Sequence, residues 1–436
     1  MKIAIPDFCL VVLIDASGSG KSTFAAKHFL ATETVSSDWA RGLVDDDEAS
    51  QTANDDAFDL VHFIVAKRLG RRRLTVVDAT NLDSKSRAAL RKIAKVHHAS
   101  LIAIVLNPGD QVCQAQNTSR PDRLVSVEVV QAQSKALKRQ IKEIDREGFK
   151  QVHVLASTEE INAFEIVRER LASDRRGEAG PFDIIGDVHG CADELMALLL
   201  KLGYEVKFSG QGEGRQAMTT APKGRRVVFV GDLVDRGPNS PDVLRIVMAM
   251  VGAGQAFCVP GNHDVKLVRW LGGKNVQLRH GLAETAEQFG REPEIFRPIV
   301  QQFLVGLASH AWLAGGKLVV AHAGINEEMI GRSSEAVRDF CLYGERDGGK
   351  DAQGLPIRYH WAADYRGATE IVYGHTPVQQ AEWVNNTLCI DTGCCFGGKL
   401  TALRWPEKEI VTVDAARIYY APLRPFGHPP VRSEVA

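Results

Sequence analysis

The chain has 436 residues, of which 44% are hydrophobic and 25% charged, and its formal net charge is -1. This length exceeds one ordinary hydrophobic core, so we expect two domains or three. The near-neutral charge excludes nucleic-acid binding through a global basic excess, and no apolar run reaches the length of a membrane span. The eight cysteines are scattered without a C-x-x-C pair, which predicts buried, reduced thiols in a cytoplasmic protein.

Residues 1–171 alternate short apolar runs with amphipathic segments. The runs LVVLI, ETVSS, LTVVD, SLIAIVL and QVHVL are typical of buried parallel strands, and the longest helix is predicted from about Ser126 to Glu147. This alternation predicts an α/β domain with a parallel sheet and right-handed crossovers.

A phosphate-binding loop follows the run LVVLI. The stretch DASGSGKST satisfies the pattern G-x-x-x-x-G-K-[ST] except at its first position, where Asp15 stands in place of glycine. Its strand–loop–helix setting suits phosphate binding, with Lys21 reaching the β- and γ-phosphates of ATP and Ser22 holding Mg²⁺. The loop residues assigned to the nucleotide are Gly18, Ser19, Gly20, Lys21, Ser22 and Thr23.

Further polar residues follow later strands of this half. Asp38, after the second strand, is placed to accept the hydroxyl proton of an alcohol that is being phosphorylated. Asp78, after the third, is interpreted as a helix N-cap or as a group that supports a metal ligand. The segment CQAQNTSRPDRL carries Arg120, assigned to nucleotide binding, and Arg123, assigned to catalysis, on a lid that closes over ATP.

Two departures predict a weakened phosphoryl transfer. If the Asp15 carboxylate faced the phosphates from about 4 Å, its repulsion would weaken ATP binding by about 4 kcal/mol per charge pair at an effective dielectric of about 20. If the side chain turned to solvent instead, the main cost would be about 1 kcal/mol of backbone strain, because the position is suited to glycine. Gln116 stands where an arginine would grip the phosphates, and the lost charged hydrogen bond costs about 1.5–3 kcal/mol. We expect nucleotide binding to survive.

The pattern of apolar and polar residues changes in the second half. The charged, glycine-containing stretch 172–181 is predicted as a linker between a first domain, 1–171, and a second domain, 182–421. Residues 422–436 are proline-rich and are expected to form a loosely ordered tail.

Five motifs in the second half carry metal-ligating residue types, and most of them follow an apolar run. They are GDVHG at 186–190, GDLVDRGP at 231–238, GNHD at 261–264, AHAG at 321–324 and YGHTP at 373–377. Open α/β sheets place their sites at the carboxyl ends of strands. Two divalent ions about 3.5–4 Å apart can neutralise a phosphoester and activate water, and Asp, Asn and His ligands suit Mn²⁺, Fe²⁺, Zn²⁺ or Ni²⁺ better than Ca²⁺.

This set of motifs resembles the calcineurin-like metallophosphoesterases, in the branch that includes protein serine/threonine phosphatases, and implies an α/β sandwich. The resemblance implies the metal ligands Asp187, His189, Asp232, Asn262, His322 and His375, with Asp232 bridging both ions.

The same resemblance implies roles for residues beside the metals. Arg236 would clamp the phosphate oxygens, and His263, paired with Asp235, would protonate the leaving alkoxide. Asp391 in CIDTGC also lies near a strand end but receives no role.

With SGSGKST, SSD and VVDATN in the first half, the chain resembles the bacterial polynucleotide kinase-phosphatases of RNA repair. That resemblance implies phosphorylation of 5′-hydroxyl ends with ATP and Mg²⁺, by Lys21, Asp38 and Arg123. It also implies removal of 2′,3′-cyclic, 2′- or 3′-phosphates with Mn²⁺ or a similar ion such as Ni²⁺. The expected partners are RNA ends and, because no K-x-D-G motif occurs, a separate RNA ligase. No membrane partner is expected, and a homodimer is left open.

Two alternatives stay open at this stage. One is a metallophosphatase of phosphoproteins or dinucleoside polyphosphates whose phosphate loop only senses a nucleotide. The other is a first half that serves as a non-catalytic clamp for RNA ends.

Overall fold

The computed structural model describes residues 1–119, 125–350, 356–422, 425–429 and 431. The chain divides into two compact units, the first formed by residues 1–171 with 332–334 and the second by 172–331 with 335–436. Within the described ranges, no helix combines the length and the apolar composition that crossing a membrane requires. All eight cysteines are buried and none forms a disulfide, as the sequence predicted.

The described residues of the first unit form seven strands and seven helices. The strands are β1 Lys2–Pro6, β2 Cys9–Asp15, β3 Thr34–Ser36, β4 Thr75–Asp78, β5 Ser100–Leu106, β6 Gln151–Leu155 and β7 Glu165–Glu169. The helices are α1 Lys21–His28, α2 Ser37–Asp45, α3 Asn54–Gly70, α4 Ser84–Val96, α5 Asp110–Thr118, α6 Val127–Ile144 and α7 Thr158–Asn162. All five predicted apolar runs form strands, and the predicted long helix is α6.

A parallel sheet with strand order β3-β4-β2-β5-β6 forms the centre of this unit. Strand β2 is buried along its whole length, and alternate side chains enter opposite cores. Leu10, Val12 and Ile14 pack in one hydrophobic cluster, whereas Val11 and Leu13 pack in another. Burial on both faces explains why the run is continuously apolar. The predicted α/β class with a parallel sheet is confirmed for this unit.

The second unit contains thirteen strands and seven helices in the described residues. The strands are β8 Phe182–Ile185, β9 Glu205–Ser209, β10 Gln216–Thr220, β11 Arg226–Phe229, β12 Ala256–Cys258, β13 His310–Leu313, β14 Leu318–Ala321, β15 Glu370–Tyr373, β16 Trp383–Val384, β17 Thr387–Cys389, β18 Asp391–Thr392, β19 Lys399–Trp405 and β20 Glu409–Asp414. The helices are α8 Ala192–Leu202, α9 Ser240–Gly252, α10 Asn262–Leu271, α11 Leu282–Gly290, α12 Phe296–Val305, α13 Glu335–Tyr343 and α14 Trp361–Asp364.

Two sheets pack face to face in this unit. The first has the order β12-β11-β8-β19-β18, with β20 on β19, and the second has the order β13-β14-β15-β17-β16. The inner faces share one core, to which Ile184, Val228, Val320 and Val372 contribute. Val227 from the first sheet and residues such as Val319 from the second point outward into cores covered by helices. This layering is the predicted α/β sandwich.

Candidate metal centre

The motif-bearing strand–loop boundaries of the second unit converge because the strands that precede them run parallel. β8, β11 and β12 are parallel neighbours in the first sheet, and β14 and β15 are parallel neighbours in the second. Each strand ends just before one motif, and α10 starts at Asn262 inside GNHD. The carboxyl ends of parallel strands meet at one edge, so residues far apart in sequence become neighbours.

Asp232 lies at the centre of the predicted ligand set. Its Oδ2 is 3.5 Å from Nε2 of His189 on one side and 3.4 Å from Nε2 of His322 on the other. The same His322 nitrogen is 3.1 Å from Oδ1 of Asn262 and 3.0 Å from Nδ1 of His375. The structure therefore brings these five predicted ligands together around one carboxylate.

Asp187, the sixth predicted ligand, is joined to this group through the backbone. Its Oδ2 accepts a hydrogen bond from the His375 backbone N–H at 3.0 Å. A Cβ on Gly374 would stand 1.9 Å from Asp187 Oδ1, and a Cβ on Gly261 would stand 2.1 Å from Asp232 Oδ1. Only glycine allows the two loops to approach the carboxylates this closely.

Several site residues hold a backbone conformation that is rare for side chains with a Cβ. The φ angles of His189, Asp232, Asp235, Arg236 and His375 are 45°, 46°, 73°, 71° and 72°. Such conformations cost about 1–3 kcal/mol each and persist where surrounding structure enforces them, which occurs most often at functional sites. The sequence motifs predicted which residues lie at the site but not the strained backbone conformation of these five.

Burial favours the neutral form of three imidazoles of the site, His189, His322 and His375. Burial, followed by the nearby Arg236, lowers the pKa of His189 well below its usual value. Burial, followed by the positive charge of Arg358, likewise lowers the pKa of His375. Burial also lowers the pKa of His322. Neutral imidazole is the form that binds a metal.

Two buried carboxylates of the site, Asp187 and Asp391, lack sufficient positive charge. Burial and the neighbouring Asp391 and Asp232 raise the pKa of Asp187 well above its usual value. Burial raises the pKa of Asp391 to about 6, against the opposing effect of Arg236. Asp187 Oδ1 and His375 Nε2 are buried and have no hydrogen-bond partner within the described residues. Divalent cations fit this set, because they supply both the missing charge and the missing partners.

Two groups of three residues could each hold an ion. Within each group, one ligand atom from every residue lies within 4.8 Å of the other two. One triad is His189, Asp232 and His263, and the other is Asp232, His322 and His375. Asp232 belongs to both, as a bridging ligand would. The first triad contains His263, which the sequence assigned to proton transfer.

Hydrogen bonds fix the protonated nitrogen of His263. Arg236 approaches Nε2 of His263 at 3.0 Å and Nε2 of His189 at 2.7 Å. A guanidinium can only donate, so both nitrogens accept. The proton of His263 is then on Nδ1, which donates to Asp235 Oδ2 at 2.6 Å, while Thr285 donates to Asp235 Oδ1 at 2.7 Å.

Two supporting residues had no assignment from the motifs. Asp264 accepts hydrogen bonds from the N–H groups of Gly261 at 2.8 Å and Leu233 at 2.9 Å, and so ties two site loops together. Arg358 acts on the site by charge. Asp264 is visible as the last letter of GNHD, whereas Arg358 lies outside the motifs and no local pattern marks it.

The phosphate loop of the first unit has the predicted course. It leaves β2 and enters α1 at Lys21, and Gly18 and Gly20 have φ angles of 85° and 89°. A Cβ on Gly18 would lie 2.1 Å from the Cys113 carbonyl oxygen, and one on Gly20 would lie 3.5 Å from Oε1 of Gln116. The loop therefore packs directly against α5, and Gln116 lies beside it. Ser19 is buried, whereas Ser22 and Thr23 are exposed on the first turn of α1.

Asp15 is neither turned to solvent nor strained, so the structure contradicts the second of the two alternatives for this residue. It is the final residue of β2, is 1% exposed and lies outside the residues with positive φ. The Ser19 hydroxyl donates to its carboxylate. Burial alone would lower the pKa of Lys21, but Asp15 and then Asp78 raise it. The carboxylate of Asp15 thus acts on the lysine that would contact the phosphates.

The other predicted kinase residues have partners of their own. Asp78 pairs with Lys21 at 2.6 Å, and the N-cap of α4 is Asp83, so the N-cap interpretation of Asp78 is wrong. Asp38 forms an ion pair with Arg41 on the first turn of α2. Arg120 and Arg123 lie outside the described residues.

Two family models match different parts of the chain. An AAA domain profile matches residues 10–144. The calcineurin-like phosphoesterase profile matches residues 180–407, which is more than half of the chain.

Curated relatives are similar over one part of the chain only. The bis(5′-nucleosyl)-tetraphosphatase PrpE [asymmetrical] of Anoxybacillus flavithermus is 46% identical over 250 residues, which cover 56% of this chain and 99% of that protein. The proteins of the same name from Halalkalibacterium halodurans and Bacillus subtilis are 47% and 43% identical, covering 54% and 55% of this chain and 94% and 96% of theirs. These relatives are therefore little more than half as long as this chain. With an AAA-type phosphate-loop domain preceding its metal-site domain, the chain belongs to the calcineurin-like phosphoesterase family.

Proposed function

We propose that the second unit hydrolyses dinucleoside tetraphosphates, releasing a nucleoside monophosphate and a nucleoside triphosphate. The observation that carries this proposal is the position of Asp232, whose single carboxylate oxygen lies between His189 at 3.5 Å and His322 at 3.4 Å. The names of the curated relatives support the substrate class. This substrate was the alternative that the sequence left open, and it now takes precedence over RNA ends.

The residues of the site fall into one set that would bind the metals and another that would act on the substrate. Asp187, Asp232, Asn262, His322 and His375 would hold the cations, together with His189. When bound, a pair of divalent cations would offset the phosphate charge and make water a stronger nucleophile.

Arg236, His263 and Asp235 would act on the substrate rather than on the metals. The guanidinium of Arg236 faces the site and can bind a phosphate oxygen with two donors. His263 takes up a proton at Nε2, stabilised by the carboxylate of Asp235 behind it, and delivers it to the leaving oxygen.

The test is an incubation of the full chain with diadenosine tetraphosphate and Mn²⁺, with Mg²⁺ and Ni²⁺ in parallel, followed by chromatography of the nucleotides. We expect equal amounts of AMP and ATP. The variant Asp187→Ala should abolish the reaction and Lys21→Ala should spare it. Release of two ADP molecules, or no turnover with any of the ions while p-nitrophenyl phosphate is hydrolysed, would contradict the proposal.

RNA end healing is the second candidate, and the phosphate loop of the first unit favours it. The relatives named above are almost fully covered by their match to one part of this chain, so they are too short to contain a unit like the first as well. The first unit of this chain has Lys21 and Ser22 at the start of α1, where they can contact a phosphate. In this candidate a cytoplasmic enzyme, as a monomer or a homodimer, prepares RNA ends for a separate ligase. The first unit uses ATP and Mg²⁺ on 5′-hydroxyl ends, and the second removes 2′,3′-phosphates with Mn²⁺ or Ni²⁺.

An RNA with a 5′-hydroxyl and a 2′,3′-cyclic phosphate, incubated with ATP, Mg²⁺ and Mn²⁺, distinguishes the candidates when both ends are mapped. End healing requires a new 5′-phosphate that Lys21→Ala abolishes and a free 3′ end that Asp187→Ala abolishes. Unchanged RNA alongside hydrolysis of diadenosine tetraphosphate would leave the first unit as a nucleotide sensor.

A further inference from the structure

A cavity of about 350 Å³ opens beside the metal centre, within the second unit. His375 lines it at the metal end, and Tyr343, Arg358, His360, Trp361 and His428 line the remainder. This volume includes the open mouth of the cavity, through which a bound ligand would extend into solvent.

Flat rings form the wall of the cavity away from the metals. The imidazoles of His360 and His428 are stacked, with centroids 4.3 Å apart and planes 13° apart. The indole of Trp361 is fixed, because its N–H donates to the Ala323 carbonyl at 3.1 Å and its ring packs 5.0 Å from Tyr373. A nucleobase stacks on such surfaces without a sequence-specific contact.

Charged and hydrogen-bonding groups both line the cavity. Arg358, which lines it together with His375, supplies a positive charge. Nε2 of His360 is buried without a hydrogen-bond partner in the described residues. A ligand that combines an anionic group with an aromatic, hydrogen-bonding group matches this lining.

We propose that this cavity binds the base of the nucleoside whose phosphate is hydrolysed, with the ring pair of His360 and His428 as its stacking surface. The proposal rests on the proposed function, because it assigns the specificity of that same site. The shared ligand is a nucleoside phosphate, supplied either by a dinucleoside tetraphosphate or by the terminal nucleotide of an RNA.

The first test measures inhibition of p-nitrophenyl phosphate hydrolysis by AMP and by ribose 5-phosphate. These inhibitors share the phosphate and sugar and differ in the base. We expect AMP to bind at least about tenfold more tightly to the wild type, and His428→Ala to remove most of that difference. Equal inhibition constants in the wild type would overturn the proposal.

The second test separates binding from chemistry. His428→Ala should raise KM for diadenosine tetraphosphate by about tenfold with little change in kcat, and leave KM for p-nitrophenyl phosphate unchanged. His360→Phe, which keeps a ring but removes the polar edge, should retain more of the affinity than His360→Ala. The matched control is His62→Ala on α3 of the first unit, which should change none of these constants. An equal rise in KM for both substrates would also overturn the proposal.

These readouts keep the two proposals apart. If diadenosine tetraphosphate is not hydrolysed but AMP still outcompetes ribose 5-phosphate, the proposed function fails and the base pocket stands. In that case KM for a short RNA ending in a 2′,3′-cyclic phosphate should rise in His428→Ala, which assigns the pocket to the RNA terminus. If diadenosine tetraphosphate is hydrolysed and the inhibitors bind equally, the function stands and the pocket fails.

Discussion

The two units place acidic side chains at the ends of parallel strands in opposite electrostatic situations. In the first unit, Asp78 pairs with Lys21 at 2.6 Å and Asp15 acts on the same lysine while it accepts from Ser19, so the positive charge of the phosphate loop is already taken up by carboxylates. In the second unit, the raised pKa values of Asp187 and Asp391 report carboxylates without enough nearby positive charge. A site whose cation is already paired with carboxylates opposes an added anion, whereas a site of unpaired carboxylates recruits cations.

The largest expected effect comes from removing the shared carboxylate of the second unit. Asp232→Asn should lower hydrolysis by about 10³-fold, because a metal ion contributes several kcal/mol of charge stabilisation in the transition state. Turnover with Mn²⁺, together with metal content measured by mass spectrometry, checks this. Nucleotide binding by the first unit should not change. An Asp232→Asn protein that keeps two Mn²⁺ ions and full activity would contradict the bridging role.

Asp235→Asn should lower kcat for diadenosine tetraphosphate by about 100-fold, because the carboxylate behind His263 stabilises the proton that this residue donates. The loss should be smaller for p-nitrophenyl phosphate than for phenyl phosphate, because the more basic phenolate leaving group needs protonation far more. Steady-state kinetics of both aryl phosphates measures the ratio. The exposed Asp193→Asn on α8 is the control, and equal losses with both aryl phosphates would refute acid catalysis through His263.

In the first unit, Asp15→Gly should strengthen ATP binding by at least about tenfold, because an unfavourable charge pair at 4 Å costs about 4 kcal/mol and each 1.4 kcal/mol is tenfold. Asp15→Asn, which keeps a partner for Ser19, should give most of the gain. Calorimetric titration with ATP and Mg²⁺ measures the dissociation constant. Asp46→Gly, at an exposed position with φ of 54°, is the control. Weaker binding in both Asp15 variants would show that the carboxylate supports the loop.

The smallest effect concerns Glu33, a carboxylate whose charge is fully paired. Arg168 donates to both of its oxygens at 2.7 Å, and this pairing lowers the pKa of Glu33 although burial alone would raise it. Glu33→Gln should lower the unfolding temperature of the first unit by about 2–4 °C at pH 7, which corresponds to about 1 kcal/mol.

The pH dependence of that effect has a definite sign. Because the folded pKa of Glu33 is depressed, its contribution is present above the unfolded value of 4.5 and is lost as the pH falls through the folded value. The difference in unfolding temperature should therefore shrink below about pH 4.5. Asp110→Asn, which breaks the exposed pair with Lys138, should have no measurable effect at any pH. A difference that grows on acidification would exclude the pairing as its cause.

Much of the fold follows from local patterns. LVVLI and SLIAIVL form the buried neighbours β2 and β5, because a strand covered on both faces is apolar at every position. The predicted helix from Ser126 differs from α6 by one residue at its start, where the Ser126 side chain caps the Val129 N–H. The metal motifs were found for a similar reason, since each is a short stretch at a strand end.

Local sequence patterns did not predict the interactions between residues that are far apart in the sequence. The partner of Asp78 is Lys21, 57 positions away, and not the backbone of the following helix. Arg358 lies in no motif, although its charge reaches His375. The cavity wall joins His360 to His428, and their stacking depends on where the chain returns after β20.

By itself the sequence determined the two α/β units and the phosphate loop and predicted the six candidate metal ligands, because apolar periodicity and turn residues act over a few positions. Only the tertiary structure decided which charges are compensated. Asp15 and Asp187 are both buried acids at the carboxyl end of a strand, yet Asp15 accepts from Ser19 and acts on the positive charge of Lys21, whereas Asp187 has Asp391 and Asp232 as neighbours, which raise its pKa. Burial raises the free energy of any charge, and the groups that long-range packing brings within hydrogen-bonding distance determine how that energy is offset.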